Sequence, residues 1–217
     1  MLRFRPFSPA RVLAEGEKTV LREFTRADVD RWLEWPRHTD PLFAGFNPPA
    51  MSALQRDSYW ASHRQSAASR RYAVDDRTGI LVGKISLREI DWYARSAVLG
   101  ISFRPDRLGE GLGTDAMGVL LRYYFGPLGM EALFLDVAAY NVRARRCYER
   151  CGFRLLGEHW GEPGPDLVGI FRDPEREELR PLFRREHGLI RPLLYDMVLR
   201  RAEYERRPCG VGRWRQC

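Results

Sequence analysis

Apolar positions recur along this chain with two different periods, and the period separates strands from helices. Thr19–Glu23 (Thr-Val-Leu-Arg-Glu) predicts a first strand. Thr25 then stands as a helix cap with Asp28 three residues on, and the helix Arg26–Trp35 carries Val29, Trp32 and Leu33 on one side. A loop with Pro36, Pro41, Pro48 and Pro49 leads to a second helix near Ser52–Ala67. Strands over Arg71–Asp75 and Ile80–Leu87 flank the turn Asp76-Arg77-Thr78-Gly79, and Ala97–Phe103 forms another. Met117, Leu120, Leu121, Tyr124 and Phe125 fall at i, i+3, i+4, i+7 and i+8, the stripe of an amphipathic helix that Gly126-Pro127 ends. Ala132–Ala138 is nearly all apolar, as a strand buried on both faces is. A short helix Val142–Cys151 stops at Gly152, and Phe153–Glu158 and Arg191–Arg200 predict two further strands. The expected order is β-α-α-β-β-β-α-β-α-β-β: an α/β chain with mixed strand directions, one domain over residues 1–217.

Two stretches interrupt this plan. About thirty residues, Gly161–Ile190, separate the last two strands, where a few residues suffice. They predict a helix from Glu175 to His187 with Leu179, Leu182 and Phe183 as its stripe, interrupted at Pro181. This insertion reads as a surface extension, a contact between two copies of the chain, or a lid or wall of the acceptor pocket. Residues from about 206 to 217 read as a flexible tail.

Between Phe103 and the striped helix lies Leu108-Gly109-Glu110-Gly111-Leu112-Gly113-Thr114. Glycines let successive backbone N–H groups converge on an anion, and the helix that follows aims its free N–H groups at the same point. The expectation is a diphosphate site. A P-loop needs Gly-Lys-Ser/Thr, and no lysine is present. A dinucleotide fingerprint needs G-x-G-x-x-G; the spacing here is G-x-G-x-G, and the acidic residue that follows, Asp136, lies within a strand rather than at its end.

Composition narrows the classes. The chain has 217 residues, 44% of them hydrophobic, so it can bury a core without staples. No apolar run approaches a membrane span, and no apolar run follows Met1–Pro6 as in a secretory signal, so a cytoplasmic protein is expected. Cys147 and Cys151 stack on one helix face with no third ligand nearby, and Cys209 and Cys217 add none, so they read as small hydrophobes in a reducing compartment, with no metal. The net charge of +7 comes almost wholly from arginine, since Lys18 and Lys84 are the only lysines. Acidic residues interleave with the basic ones and no aromatic RNA-binding signature stands out, so a phosphate-bearing ligand is expected ahead of nucleic acid.

The decisive pattern is a pair of motifs. After the glycine loop, Asn141-Val142-Arg143-Ala144-Arg145-Arg146-Cys147-Tyr148-Glu149-Arg150-Cys151-Gly152-Phe153 reads N-x-x-A-x-x-x-Y-x-x-x-G-F. Together they resemble the acyl-CoA core of the GNAT superfamily of N-acyltransferases. The strands from Gly83 to Gly100 resemble the branch that acetylates ribosomal-protein N-termini and polyamines. The resemblance covers roughly Thr19–Trp160 and resumes at Asp196–Leu199. It implies a mostly antiparallel sheet flanked by helices with a splayed strand pair, acetyl-CoA as cofactor, and transfer to a primary amine by direct attack in a ternary complex. It implies CoA contacts from Ile101, Ser102, Phe103, Arg107, Leu108, Gly109, Glu110, Gly111, Leu112, Gly113, Thr114, Asn141, Arg143 and Arg146, with Tyr148 as general acid. From spacing alone, Tyr148 also fits a core face shared with Ala144, Cys147 and Cys151.

Two positions depart from the pattern. Leu108 stands where the superfamily often has Gln or Arg, and Val98 stands where branch members often carry Glu, so a carboxylate for the acceptor is missing there. Asp91, Glu89, His159 and Asp136 are the candidate bases. Trp32, Trp35, Asp91 and Trp92, with Tyr93, are candidates for the acceptor pocket, although such aromatics also suit a core. Two other classes stay open: a CoA-binding module that has lost catalysis, and a dinucleotide-binding protein.

Overall fold

The computed structural model describes residues 10–163, 165–171 and 173–206. The strands are β1 (Val12–Glu15), β2 (Thr19–Glu23), β3 (Arg70–Asp76), β4 (Leu81–Asp91), β5 (Ser96–Phe103), β6 (Ala132–Ala138), β7 (Arg154–Trp160), β8 (Phe183–Glu186) and β9 (Leu189–Arg200). The helices are α1 (Arg26–Leu33), α2 (Ala53–Gln65), α3 (Leu112–Phe125), α4 (Val142–Cys151) and α5 (Arg201–Glu205). The sheet runs β1-β2-β3-β4-β5-β6-β9-β7, with β8 added to the start of β9. Among the described strands only β5 and β6 are parallel neighbours, and α3 is their crossover. No helix among the described residues is long and apolar enough to cross a membrane.

The α3 stripe does what its period requires. Met117, Leu120, Leu121, Tyr124 and Phe125 are all buried against β2, β4, β5 and β6 in the main core. Tyr124 fixes the register beneath it by donating its hydroxyl to the Ala132 carbonyl at 2.6 Å. At the other face, α1 is tied to the sheet by charge. Buried Arg22 donates to both oxygens of Asp28 (2.6 and 2.8 Å) and of Asp75 (2.6 and 2.9 Å), so one guanidinium joins β2, α1 and β3.

Three features differ from the sequence expectation. β1 is a short edge strand with no clear alternation, and so carries no period-2 signal. β4 continues past Leu87 to Asp91. The helix expected from Glu175 to His187 is absent: Pro174–Leu182 is 3-10 helical and Phe183–Glu186 is strand. Pro181 has no N–H to give an α-helix and crowds the preceding turn. His187 and Gly188, with φ of 49° and 80°, then form a tight hairpin between β8 and β9. The apolar residues expected there still pack inward, Phe183 buried and Leu179 and Leu182 half-buried, since spacing of three also suits a 3-10 helix. Leu179, Leu182 and Phe183 join Leu167, Ile170 and Ile190 in a second core that closes over Leu42. Residues 207–217, most of the expected tail, and with them Cys209 and Cys217, lie outside the described residues.

Candidate active site

The site begins where two strands part. β5 stays paired to β4 from Phe103 back to Ser96, but meets β6 only over Ser96–Val98. Beyond Val98 the parallel pair opens, and among the described residues no strand lies beside that edge of β5. A cavity of about 480 Å³ fills the opening, between the glycine loop at one end and the loop before α2 at the other.

The glycine-loop end is built for an anion. Gly109 and Gly111 sit in the left-handed region, with φ of 91° and 81°, where a side chain is strained. A Cβ on Gly109 would meet no atom within 4 Å, so the cradle has open space. α3 starts at Leu112 and turns its first N–H groups toward the loop. The start of α3 is pinned from behind. Buried Asp115 accepts from the backbone N–H of Glu17, Lys18 and Thr19 and from Thr19 Oγ1, at 2.6–3.1 Å. Gly16 is required here because a Cβ would lie 2.2 Å from Asp115 Oδ2. This anchoring carries Lys18 to the loop, where its ammonium donates to the Glu110 carbonyl at 2.7 Å. Arg107 is held by Glu110 (2.8 Å) and Asp76 (3.0 Å).

Register sorts the rest of the cavity onto two faces. Val98, Gly100 and Ser102 pair with Arg88, Ser86 and Lys84, so these residues share one face of the sheet. Asp136, two residues past the Val98 partner Phe134, lies on that face too, with Oδ1 3.7 Å from Arg88 Nη2. The face that carries Val98 thus holds a carboxylate on the neighbouring strand. Tyr148 enters from α4, mostly buried, its ring 5.9 Å from Phe153. Burial raises its phenol well above the ordinary value, and negative charge at Cys147, Asp136 and Cys151 pushes the same way. Cys147 lies at the wall with Sγ 3.4 Å from Thr114 Oγ1; the Cys151 hydrogen bond is the main influence bringing its thiol down to about 6.

The cavity gathers Ile101, Ser102, Phe103, Arg107, Leu108, Gly109, Gly111, Leu112, Gly113, Thr114, Asn141, Arg143 and Tyr148 from the sequence-predicted set. Glu110 is outside the lining and holds Arg107; Arg146 lies in an open groove of α4 beside Arg143 and Arg150. Asn141 also caps α4, accepting from Ala144 N. Of the candidate bases only Asp136 reaches the cavity. Asp91 caps the β4–β5 turn through Tyr93 N and Ala94 N, Glu89 takes a left-handed kink in β4, and His159 pairs with Asp196 at 3.0 Å. The aromatic candidates are elsewhere. Trp32 and Trp35 are buried in a third core, and Trp92 donates to the Ala67 carbonyl. Trp32 instead carries the Lys84 ammonium 3.3 Å from its ring centre, and burial, with Arg71 nearby, lowers Lys84 to about 7. The cavity's own aromatic wall is His38, Phe43, Phe46 and Tyr140. No spacing rule could have found it, because Tyr140 and Phe43 are brought together from opposite halves of the chain.

A splayed parallel pair, a glycine loop opening a helix and the Asn141–Phe153 segment lie around one cavity. The family profile for the acetyltransferase (GNAT) domain matches residues 18–154. The chain belongs to the GNAT acetyltransferase family. It is 32% identical to spermidine N(1)-acetyltransferase of Vibrio cholerae over 138 residues, 64% of this chain and 80% of that protein. It is also 32% identical to a putative ribosomal N-acetyltransferase of Bacillus subtilis over 95 residues, 44% of this chain and 51% of that protein. In fold it matches the crystal structure of the Vibrio cholerae spermidine N-acetyltransferase in complex with CoA and spermine. That TM-score is 0.67 at 24% identity, covering 86% of this chain and 98% of the other. As a GNAT acetyltransferase this chain moves an acetyl group from acetyl-CoA to an amine.

Proposed function

We propose that the opened β5–β6 cavity is the acetyl-transfer site and that transfer is direct, with acetyl-CoA and a primary amine bound together. The observation that carries this is the coincidence of three chemistries in one cavity: the Gly109–Thr114 cradle, the unpaired edge of β5, and a lining that includes both Tyr148 and Asp136. The residues fit CoA. The loop amides, with Lys18 and Arg107, suit a diphosphate, while Arg143 and Arg150 suit further phosphate charge. The β5 edge from Gly100 to Phe103 and the Asn141 amide suit the amide-bearing pantetheine arm. Acetyl-CoA supplies the activated acyl group as a thioester.

The chain's own residues supply the proton management. An amine attacks only when neutral, and Asp136 is the carboxylate placed to take its proton. Tyr148 is the residue that would return a proton to the leaving thiolate, and its burial keeps the phenol protonated throughout the neutral range. The unpaired β5 edge offers backbone N–H groups that would polarise the thioester oxygen. The activity belongs in a compartment supplied with acetyl-CoA, and the reading includes a cytoplasmic location.

Initial rates with both substrates varied test the order of events: intersecting reciprocal plots are expected, and parallel plots would exclude direct transfer. Asp136→Asn is expected to lower kcat about 100-fold near neutral pH. The deficit should shrink as pH approaches the acceptor's own pKa, because the amine then arrives neutral; a deficit constant with pH would assign Asp136 a structural role. Gly111→Ala strains a left-handed residue and brings a Cβ to 3.2 Å from Lys18 Nζ. A cost of about 1–2 kcal/mol should weaken CoA binding about tenfold by calorimetry.

A further inference from the structure

The amine end of the cavity has a definite chemistry. Its rings form a connected wall: Phe43 lies 5.7 Å from His38, 6.3 Å from Phe46 and 5.9 Å from Tyr140 between ring centres. Burial, with Arg143 nearby, lowers His38 below its ordinary value, so at neutral pH it presents an uncharged ring. The insertion holds this wall from behind. Tyr140 stacks on Phe183 of β8 at 5.4 Å and 15°, and donates its hydroxyl to the Leu42 carbonyl at 3.0 Å. Arg176 reaches across to Asp40 at 2.7 Å, at the start of the loop that carries Phe43 and Phe46. The loop is thus fixed at both its backbone and its charge, and the rings present a preformed surface.

The charge around that surface is the second observation. Asp136 is the one carboxylate in the described lining, and Arg88 already shares it. Asp40 is neutralised by Arg176 and does not line the cavity. Farther along the same sheet face, past Lys84, comes the guanidinium of Arg71. A ligand with several ammonium groups finds one shared carboxylate and several repelling guanidiniums. A ligand with one ammonium finds Asp136, and its body finds four rings.

The geometry points to an acceptor that is a monoamine with an aromatic or branched apolar body, in place of a polyamine. This rests on the acetyl-transfer reading of the cavity, and concerns which amine enters it. Flat apolar bodies gain from ring contact beyond the area they bury. The insertion acts as a positioning element, since it touches the back of the wall and not the cavity.

The test compares 2-phenylethylamine with spermidine, by turnover and by calorimetric binding to the CoA-saturated protein. Phenylethylamine is expected to exceed spermidine about tenfold in kcat/KM, and Phe43→Ala to raise its KM about tenfold with kcat within about twofold. Phe183→Ala should raise KM in the same direction without touching the ligand. Spermidine preferred by wild type, or phenylethylamine binding unchanged in Phe43→Ala, would overturn the inference. Phenylethylamine that binds through Phe43 but is never acetylated would leave this site standing and remove the acetyl-transfer reading instead. A protein that binds neither amine would overturn the inference too.

Discussion

Tyr148→Phe is expected to lower turnover about 100-fold or more while CoA affinity stays within about twofold. The substitution removes one oxygen and keeps the ring packed 5.9 Å from Phe153. Folding should therefore be little changed, and the loss should fall on chemistry. A departing CoA thiolate, with a pKa near ~8.5 as for an ordinary thiol, accepts a proton from a phenol that is itself protonated. Burial is the main cause that holds Tyr148 protonated, and the negative groups beside it act in the same sense. The measurement is steady-state kcat beside a CoA titration on the same preparation. Unchanged turnover in a folded, CoA-binding variant would show that the sulfur takes its proton from elsewhere.

Asp28→Ala is expected to destabilise the protein by roughly 3–5 kcal/mol, read as a shift in the urea midpoint. Native domains hold only about 5–15 kcal/mol in reserve, so this is a large share. The carboxylate is fully buried and accepts from Arg22 Nη1 and Nη2, and from Thr25 N and Oγ1. Removing it leaves the Arg22 guanidinium buried with one of its two carboxylates gone. Burial alone would raise the Asp28 carboxyl; the hydrogen bonds of Arg22 and Thr25 overcome that and hold it below the ordinary value. A carboxyl depressed in the native state contributes stability above its unfolded pKa of about 3.9, and that contribution is lost as pH falls through the lower native value. The wild type should therefore lose this part of its stability below about pH 4, and the alanine variant should have none of it to lose. A loss below about 1 kcal/mol, or an unchanged acid limb, would contradict the role given to the cluster.

The parts of this molecule that could be read from its sequence are those whose physics is local. The α3 stripe follows from helix period, the left-handed turns at Gly109 and Gly111 from the lack of a Cβ, and the anion cradle from a glycine loop that opens a helix. The Asn141–Phe153 segment was readable as a motif by resemblance, with Gly152 as the stop of its helix, and that glycine does end it in a left-handed turn. What could not be read depends on contacts between distant segments. Trp32 and the cavity rings Phe43 and Phe46 are chemically alike in sequence; only packing decides that Trp32 goes under Lys84 while the phenylalanines face the cleft. That Asp136 shares a face with Val98, two residues past its partner Phe134, follows from register alone. The insertion had readable apolar spacing, yet Pro181 and the His187-Gly188 turn divided it into 3-10 helix and strand. Lys18 reaches the glycine loop only because Asp115, nearly a hundred residues away, pins the β1–β2 turn.

Amine-dependent thiol release from acetyl-CoA, with the N-acetylated product quantified in the same reaction, tests the central claim most directly. Thiol should appear only when a primary amine is present, one for each amide formed. CoA that binds tightly while no amine in a broad panel draws out thiol would contradict it, and would mark the cavity as a binding module.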